Sequence, residues 1–131
     1  MNKKTVVLFI DDEEDYCALI KAHLPAIGNF EVVCAYNGKE GLKLAANIKP
    51  DVILLDIIMP GVNGFEVLEK LKKDEKTMSI PVIMLSGLDD DGVRIKASGL
   101  YDEGYITKPA DSYQIKSKIE ETLRIRGVNL S

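Results

Sequence analysis

Polar side chains that can do chemistry follow four short apolar runs of this sequence. The carboxylates Asp11 and Asp12 follow the first run, and Asp56, Ser86 and Lys108 each end or follow a later one. Apolar runs of this length, bounded by turn residues, are typical of strands that are buried on both faces of a parallel sheet. Because open α/β sheets bind ligands at the carboxyl ends of their strands, we expect these five side chains to converge on one site.

Three carboxylates, one hydroxyl and one ammonium in a single crevice suit phosphoryl transfer. The carboxylates repel one another at neutral pH, so they require raised pKa values or a bound cation. Mg2+ is the expected cation, because a small hydrated ion needs only one or two direct carboxylate ligands. Lys108 and the metal would neutralise the oxygens of a transferring phosphoryl group, and Ser86 would donate a hydrogen bond to them. Asp56 is the expected nucleophile, and Asp11 and Asp12 are expected to bind the metal directly or through water.

Helix-like patterns alternate with the apolar runs. Asn63 and Glu66 match a capping box that opens the third helix, and a stripe between Val93 and Leu100 predicts the fourth. The last helix is predicted over Asp111–Arg126. Five strands and five helices with short crossovers predict a doubly wound α/β domain with three layers, αβα.

The composition is ordinary for a soluble globular protein, with 46% apolar and 29% charged residues among 131. The net charge of −4 gives no general attraction to nucleic acid or to an anionic membrane. The sequence has no evident signal segment and no apolar stretch long enough to span a bilayer. Cys17 and Cys34 are predicted to be reduced thiols in the core, which together with the missing signal segment predicts a cytoplasmic location. We expect one domain over residues 1–131, with a core of roughly 4–126 and no output domain.

The motifs around these residues resemble those of the receiver domain of two-component response regulators, a family that includes the single-domain chemotaxis regulator. They are the acidic pair, the segment Asp56–Gly61 followed by Asn63–Gly64, then Ser86–Gly87, and Tyr105 followed by Lys108–Pro109. The resemblance extends over roughly Lys4 to Arg126. It implies a flavodoxin-like, five-stranded parallel sheet with strand order 2-1-3-4-5.

The resemblance also implies roles at the reaction centre. Asp56 would be the phosphoacceptor, and Asp12 would bind Mg2+ directly. Asp11 would act on the metal mainly through water, and the backbone carbonyl of Ile58 would be a further ligand. Lys108 would pair with the phosphoryl group, and its bond to the following proline is expected to be cis.

A switch follows from the same resemblance. Ser86 would move to bind the phosphoryl group, and Tyr105 would then turn inward, changing a face built by helix four, strand five and helix five. A phosphohistidine on a sensor histidine kinase or a phosphotransfer protein would be the donor. The changed face would dock an output partner, a fused output domain or a second copy. The chain would not be an enzyme, since it would catalyse only its own phosphorylation and dephosphorylation at Asp56.

Three alternatives come from other classes of protein. A haloacid dehalogenase-type phosphohydrolase needs a second Asp two residues beyond its nucleophile, and Ile58 stands there instead. A flavodoxin-like FMN carrier needs a phosphate loop rich in Ser, Thr and Gly, whereas the first strand here ends in acids that repel phosphate. A degenerate receiver that acts as a phosphorylation-independent interaction module stays open as the main alternative.

Overall fold

The computed structural model describes residues 3–59, 62–87 and 105–127, and of Ile58, Val62 and Ser86 it describes the backbone alone. The stripe that predicts the fourth helix lies outside these residues. Helices in the described part are therefore numbered without it, and the predicted fifth helix is α4 below.

Short strands alternate with helices along the described residues. The strands are β1 Thr5–Ile10, β2 Phe30–Ala35, β3 Val52–Asp56, β4 Ile58–Met59, β5 Val62–Asn63, β6 Val82–Ser86 and β7 Tyr105–Thr107. The helices are α1 Glu14–Ile27, α2 Gly38–Ile48, α3 Gly64–Lys73 and α4 Ser112–Ile125. Asn63, which the sequence indicates as a cap, accepts a hydrogen bond from the backbone N–H of Phe65 at the start of α3. At the start of α4, Asp111 accepts one from the backbone N–H of Gln114.

Five of the strands form one parallel sheet in the order β2-β1-β3-β6-β7. The remaining pair, β4 and β5, forms a short antiparallel hairpin beside the end of β3. When this hairpin is left out of the numbering, the order is 2-1-3-4-5. The predicted fold is therefore confirmed.

The apolar runs are continuous because the sheet is covered on both faces. In β1, Val7 and Phe9 enter the core that α1 and α4 cover, whereas Leu8 and Ile10 enter the core beneath α2 and α3. All four side chains are fully buried. Side chains in the middle of a strand between two helical layers are buried on either face, so polar side chains are favoured only towards the strand ends.

The strand register brings the ends of four strands to one edge of the sheet. Neighbouring residues across these strands are Ile10 with Leu55, Asp56 with Leu85, and Ser86 with Thr107. The acidic pair, Asp56, Ser86 and Lys108 thus share this edge, as the sequence predicts. No helix in the described ranges is long and apolar enough to cross a membrane.

Candidate functional site

Three carboxylates meet at the carboxyl ends of β1 and β3. Asp11 follows β1 directly and Asp56 is the last residue of β3; both are buried, with 0% and 5% of their surface exposed, whereas Asp12 is half-buried. One carboxylate oxygen from each of the three lies within 4.8 Å of the others. The two elements hold these acids close together although charge repulsion opposes the arrangement.

Lys108, which follows β7, supplies a cation to this cluster. Its Nζ lies 2.8 Å from Asp11 Oδ2, 2.5 Å from Glu13 Oε1 and 3.5 Å from Asp56 Oδ2. The lysine side chain is 13% exposed and both aspartates are buried, so water screens these two contacts only weakly, whereas the contact with the exposed Glu13 is screened more. The peptide bond between Lys108 and Pro109 is cis, as expected. One ammonium therefore touches three carboxylates, including the predicted nucleophile.

Burial and pairing act in opposite directions on these groups. Burial raises the pKa of Asp11 above its ordinary value, although the ammonium of Lys108 and the backbone N–H of Glu13 favour the charged form. For Lys108 burial alone would lower the pKa, but hydrogen bonds with Asp11 and Glu13 outweigh it and the pKa is raised. Lys108 is thus a permanent cation at neutral pH, and the surrounding carboxylates still outnumber it.

Tyr16 in the first turns of α1 anchors the segment that carries Lys108. Its hydroxyl donates a hydrogen bond to the carbonyl of Ala110 at 2.6 Å and accepts one from the N–H of Ala110 at 3.2 Å. Burial raises the pKa of Tyr16, so the hydroxyl stays protonated and can donate. The ring centre lies 5.2 Å from Lys108 Nζ, within reach of a cation–π contact.

We expect Tyr16→Phe to lower the free energy of unfolding by about 1–2 kcal/mol, because it leaves both backbone groups of Ala110 without their partner. Urea denaturation would measure the change. Tyr113→Phe is the matched control, since Tyr113 lies in α4 and is 66% exposed, and it should shift stability by less than about 0.5 kcal/mol. Equal effects of the two substitutions would show that the Tyr16 hydroxyl anchors nothing.

Sequence reasoning did not identify Glu13 or Tyr16 as parts of this site. Both follow the acidic pair in a segment whose residues otherwise look like the start of an ordinary surface helix. Whether Glu13 and Tyr16 reach Lys108 depends on how α1 packs against the segment after β7, and no local sequence pattern predicts that packing. The contact between Glu13 and Lys108 is therefore a result of the tertiary fold.

The donor set at the acidic cluster fits a divalent cation that prefers oxygen ligands. Asp11, Asp12 and Asp56 offer hard carboxylate oxygens, and the ammonium of Lys108 offsets only part of their negative charge. This chemistry suits Mg2+ rather than a metal that prefers nitrogen or sulfur. Ile58 lies two residues beyond Asp56 at the start of β4, where its backbone pairs with Asn63.

The two predicted switch residues lie on neighbouring strands. Ser86 ends β6 and pairs with Thr107, while Tyr105 begins β7 and pairs with Met84. Tyr105 is half-buried and packs against the core beneath α2 and α3. The two residues therefore lie on adjacent strands, and Ser86 is at the sheet edge that carries the acidic cluster.

The sequence matches a known protein family and is similar to known proteins. Residues 7–120 match the family model described as response regulator receiver domain. Protein PilH from Pseudomonas aeruginosa is 38% identical over 119 residues, which cover 89% of this chain and 96% of PilH. Response regulator PleD from Caulobacter vibrioides is 38% identical over 122 residues, 93% of this chain but 27% of PleD. The chain thus spans nearly all of one relative and about a quarter of the other.

Solved structures give the same result for the fold. The receiver domain of the Francisella response regulator 1452 superimposes with a TM-score of 0.81 at 28% identity, covering 94% of this chain and 99% of that domain. Chemotaxis protein CheY4 from Vibrio cholerae gives a TM-score of 0.83 at 24% identity, covering 92% of this chain and all of CheY4. The second likeness concerns the fold alone.

Proposed function

Because this chain belongs to the response regulator receiver domain family, we propose that it is a signalling protein switched by phosphorylation of Asp56. The observation that carries the proposal is the position of Asp56 at the end of β3, 3.5 Å from the ammonium of Lys108 and beside two further carboxylates. A buried carboxylate that faces a cation and a metal-binding cluster is a suitable acceptor for a phosphoryl group.

The donor in this proposal is a phosphohistidine on a sensor histidine kinase or a phosphotransfer protein, which the chain would meet in the cytoplasm. A carboxylate oxygen of Asp56 attacks the phosphorus while the phosphorus–nitrogen bond breaks, and the electron pair returns to the donor imidazole. Lys108 then exchanges part of its contact with Asp11 and Glu13 for the new phosphoryl oxygens. Ser86 donates to the same oxygens, and Tyr105 turns inward behind it, which alters the face around β7 and α4.

Asp11, Asp12, Asp56 and the carbonyl of Ile58 would hold Mg2+ in this proposal. When bound, the ion supplies positive charge that offsets the charge on the phosphoryl oxygens. The ends of β1 and β3 would hold these carboxylates at fixed positions, which suits a small ion that stays partly hydrated.

The proposal is tested by intact mass after incubation with acetyl phosphate, with Mg2+ in one sample and excess EDTA in the other. We expect one phosphoryl adduct that requires Mg2+ and is removed by hydroxylamine, as an acyl phosphate is. A receiver of known reactivity, treated in parallel, controls for the reagent. No adduct under conditions that modify the reference would contradict the proposal and favour a phosphorylation-independent interaction module.

Binding of Mg2+ should also stabilise the fold without any phosphoryl donor. At a concentration a hundredfold above the dissociation constant we expect the free energy of unfolding to rise by about 2.7 kcal/mol, because the ion binds only the assembled cluster. Asp12→Asn should remove most of this rise, and in EDTA it should stabilise the protein by relieving repulsion. Asp15→Asn is the control, since Asp15 is exposed in the first turn of α1. An Mg2+ response that survives Asp12→Asn would place the ion elsewhere.

A further inference from the structure

The two cysteines of the chain, separate in sequence, form a pair in the fold. Cys17 on α1 is fully buried, and Cys34 on β2 is half-buried. Cys17 belongs to the core that α1 and α4 cover, and Cys34 packs against that core. Cys34 Sγ also lies 3.7 Å from the carbonyl oxygen of Cys17. Both are free thiols, so the contact is between reduced groups.

The two thiols differ in how readily they can react. The adjacent side chain of Cys17 lowers the pKa of Cys34 to about 7 although burial alone would raise it, and the nearby ammonium of Lys21 and hydroxyl of Tyr36 act in the same direction as Cys17. Cys34 is also the one that solvent reaches. A partly exposed thiolate beside a buried thiol is the arrangement of a reactive cysteine next to a resolving one.

We propose that Cys34 and Cys17 are a modification site at which a hydroperoxide closes an intramolecular disulfide between β2 and α1. The Cys34 thiolate attacks one peroxide oxygen, the oxygen–oxygen bond breaks, and the leaving hydroxide takes a proton from solvent. The Cys17 sulfur then attacks the sulfenic sulfur, the sulfur–oxygen bond breaks, and the departing hydroxide takes the Cys17 proton. Two thiols lose two electrons, and hydrogen peroxide becomes two molecules of water.

This site connects directly to the acidic cluster. In the reduced protein the Cys17 thiol donates to the backbone carbonyl of Asp11, with 3.6 Å between sulfur and oxygen. A disulfide removes that donor and ties the first turns of α1, which carry Tyr16, to the neighbouring strand. Oxidation is therefore placed to alter the elements that hold Asp11 and Lys108. The chemistry itself does not depend on phosphorylation of Asp56.

The test is oxidation of the reduced protein with limiting hydrogen peroxide, followed by alkylation under denaturing conditions and intact mass. We expect a monomer that loses two hydrogen atoms (about 2 Da), takes up no alkylating reagent and recovers both thiols with dithiothreitol. The chain holds 2 cysteines, so a monomer with this loss contains one pairing only. No acetyl phosphate is present, so the result stands whether or not the proposed function holds.

Single variants separate the roles of the two thiols. Cys34→Ser should leave the buried Cys17 alkylated and unoxidised, and Cys17→Ser should stop at a sulfenic acid on Cys34 that dimedone traps. The wild-type result does not depend on either variant folding. Two intact thiols under conditions that oxidise a reference dithiol, a disulfide-linked dimer, or Cys34 oxidised beyond sulfenic acid in the wild type would each overturn the proposal.

Discussion

Replacing Asp56 with asparagine is expected to abolish the phosphoryl adduct formed from acetyl phosphate. The amide lacks the anionic oxygen that attacks phosphorus, and it removes the charge that faces Lys108 Nζ at 3.5 Å. The side chain is nearly isosteric, so the surroundings of this buried position should be preserved. Intact mass in the presence of Mg2+ measures the loss, and circular dichroism confirms that the variant is folded.

Asp51→Asn is the matched control for this substitution. Asp51 lies just before the same strand but at its opposite end, where its carboxylate accepts a hydrogen bond from the backbone N–H of Val6 at 2.7 Å. We expect this variant to be phosphorylated like the wild type, whatever its stability. An adduct of undiminished yield on Asp56→Asn would mean that another group, such as the half-buried Asp12 of the same cluster, accepts the phosphoryl group.

Much of the fold and the convergence of the site could be predicted from local patterns. Runs that are apolar at every position require burial on both faces, which a doubly wound parallel sheet provides. Once the sheet is parallel, residues such as Asp11, Asp56 and Lys108 come to one edge because each follows a strand end. The types of these residues and their positions in the sequence are therefore sufficient to predict that they share one edge of the sheet, without any knowledge of side-chain packing. The order of the strands came from the family resemblance.

The contacts that refine the site could not be predicted in this way. Glu13 reaches Lys108 and Tyr16 reaches Ala110 across more than ninety residues of sequence. The contact between Cys17 and Cys34 likewise depends on the angle at which α1 lies against β2. These are consequences of tertiary packing, and a pattern with a period of two or 3.6 residues carries no information about them.

Gly64, which in the sequence is only part of a motif, lies against the backbone of Asp56 and Ile57. Gly64 begins α3, and its N–H donates to the carbonyl of Ile57 at 2.7 Å. A Cβ at this position would lie 2.5 Å from the Cα of Ile57 and 2.6 Å from the carbonyl oxygen of Asp56. Both are backbone atoms, one of Asp56 itself and one of the residue that follows it, so no side-chain movement can relieve the overlap. The glycine is required by close approach of two backbone segments.

Gly64→Ala is therefore expected to lower the free energy of unfolding by about 3 kcal/mol, and by more if the loop after Asp56 cannot shift. Gly87→Ala is the control, because a Cβ there would meet no heavy atom of the described residues within 4 Å. Urea denaturation should separate the two variants clearly. The folded fraction of Gly64→Ala should also accept phosphoryl groups more slowly, since the same displacement moves Asp56 relative to Lys108. If Gly64→Ala is as stable as Gly87→Ala, α3 does not begin in contact with the backbone that follows Asp56, and Asp56 is held by its strand alone.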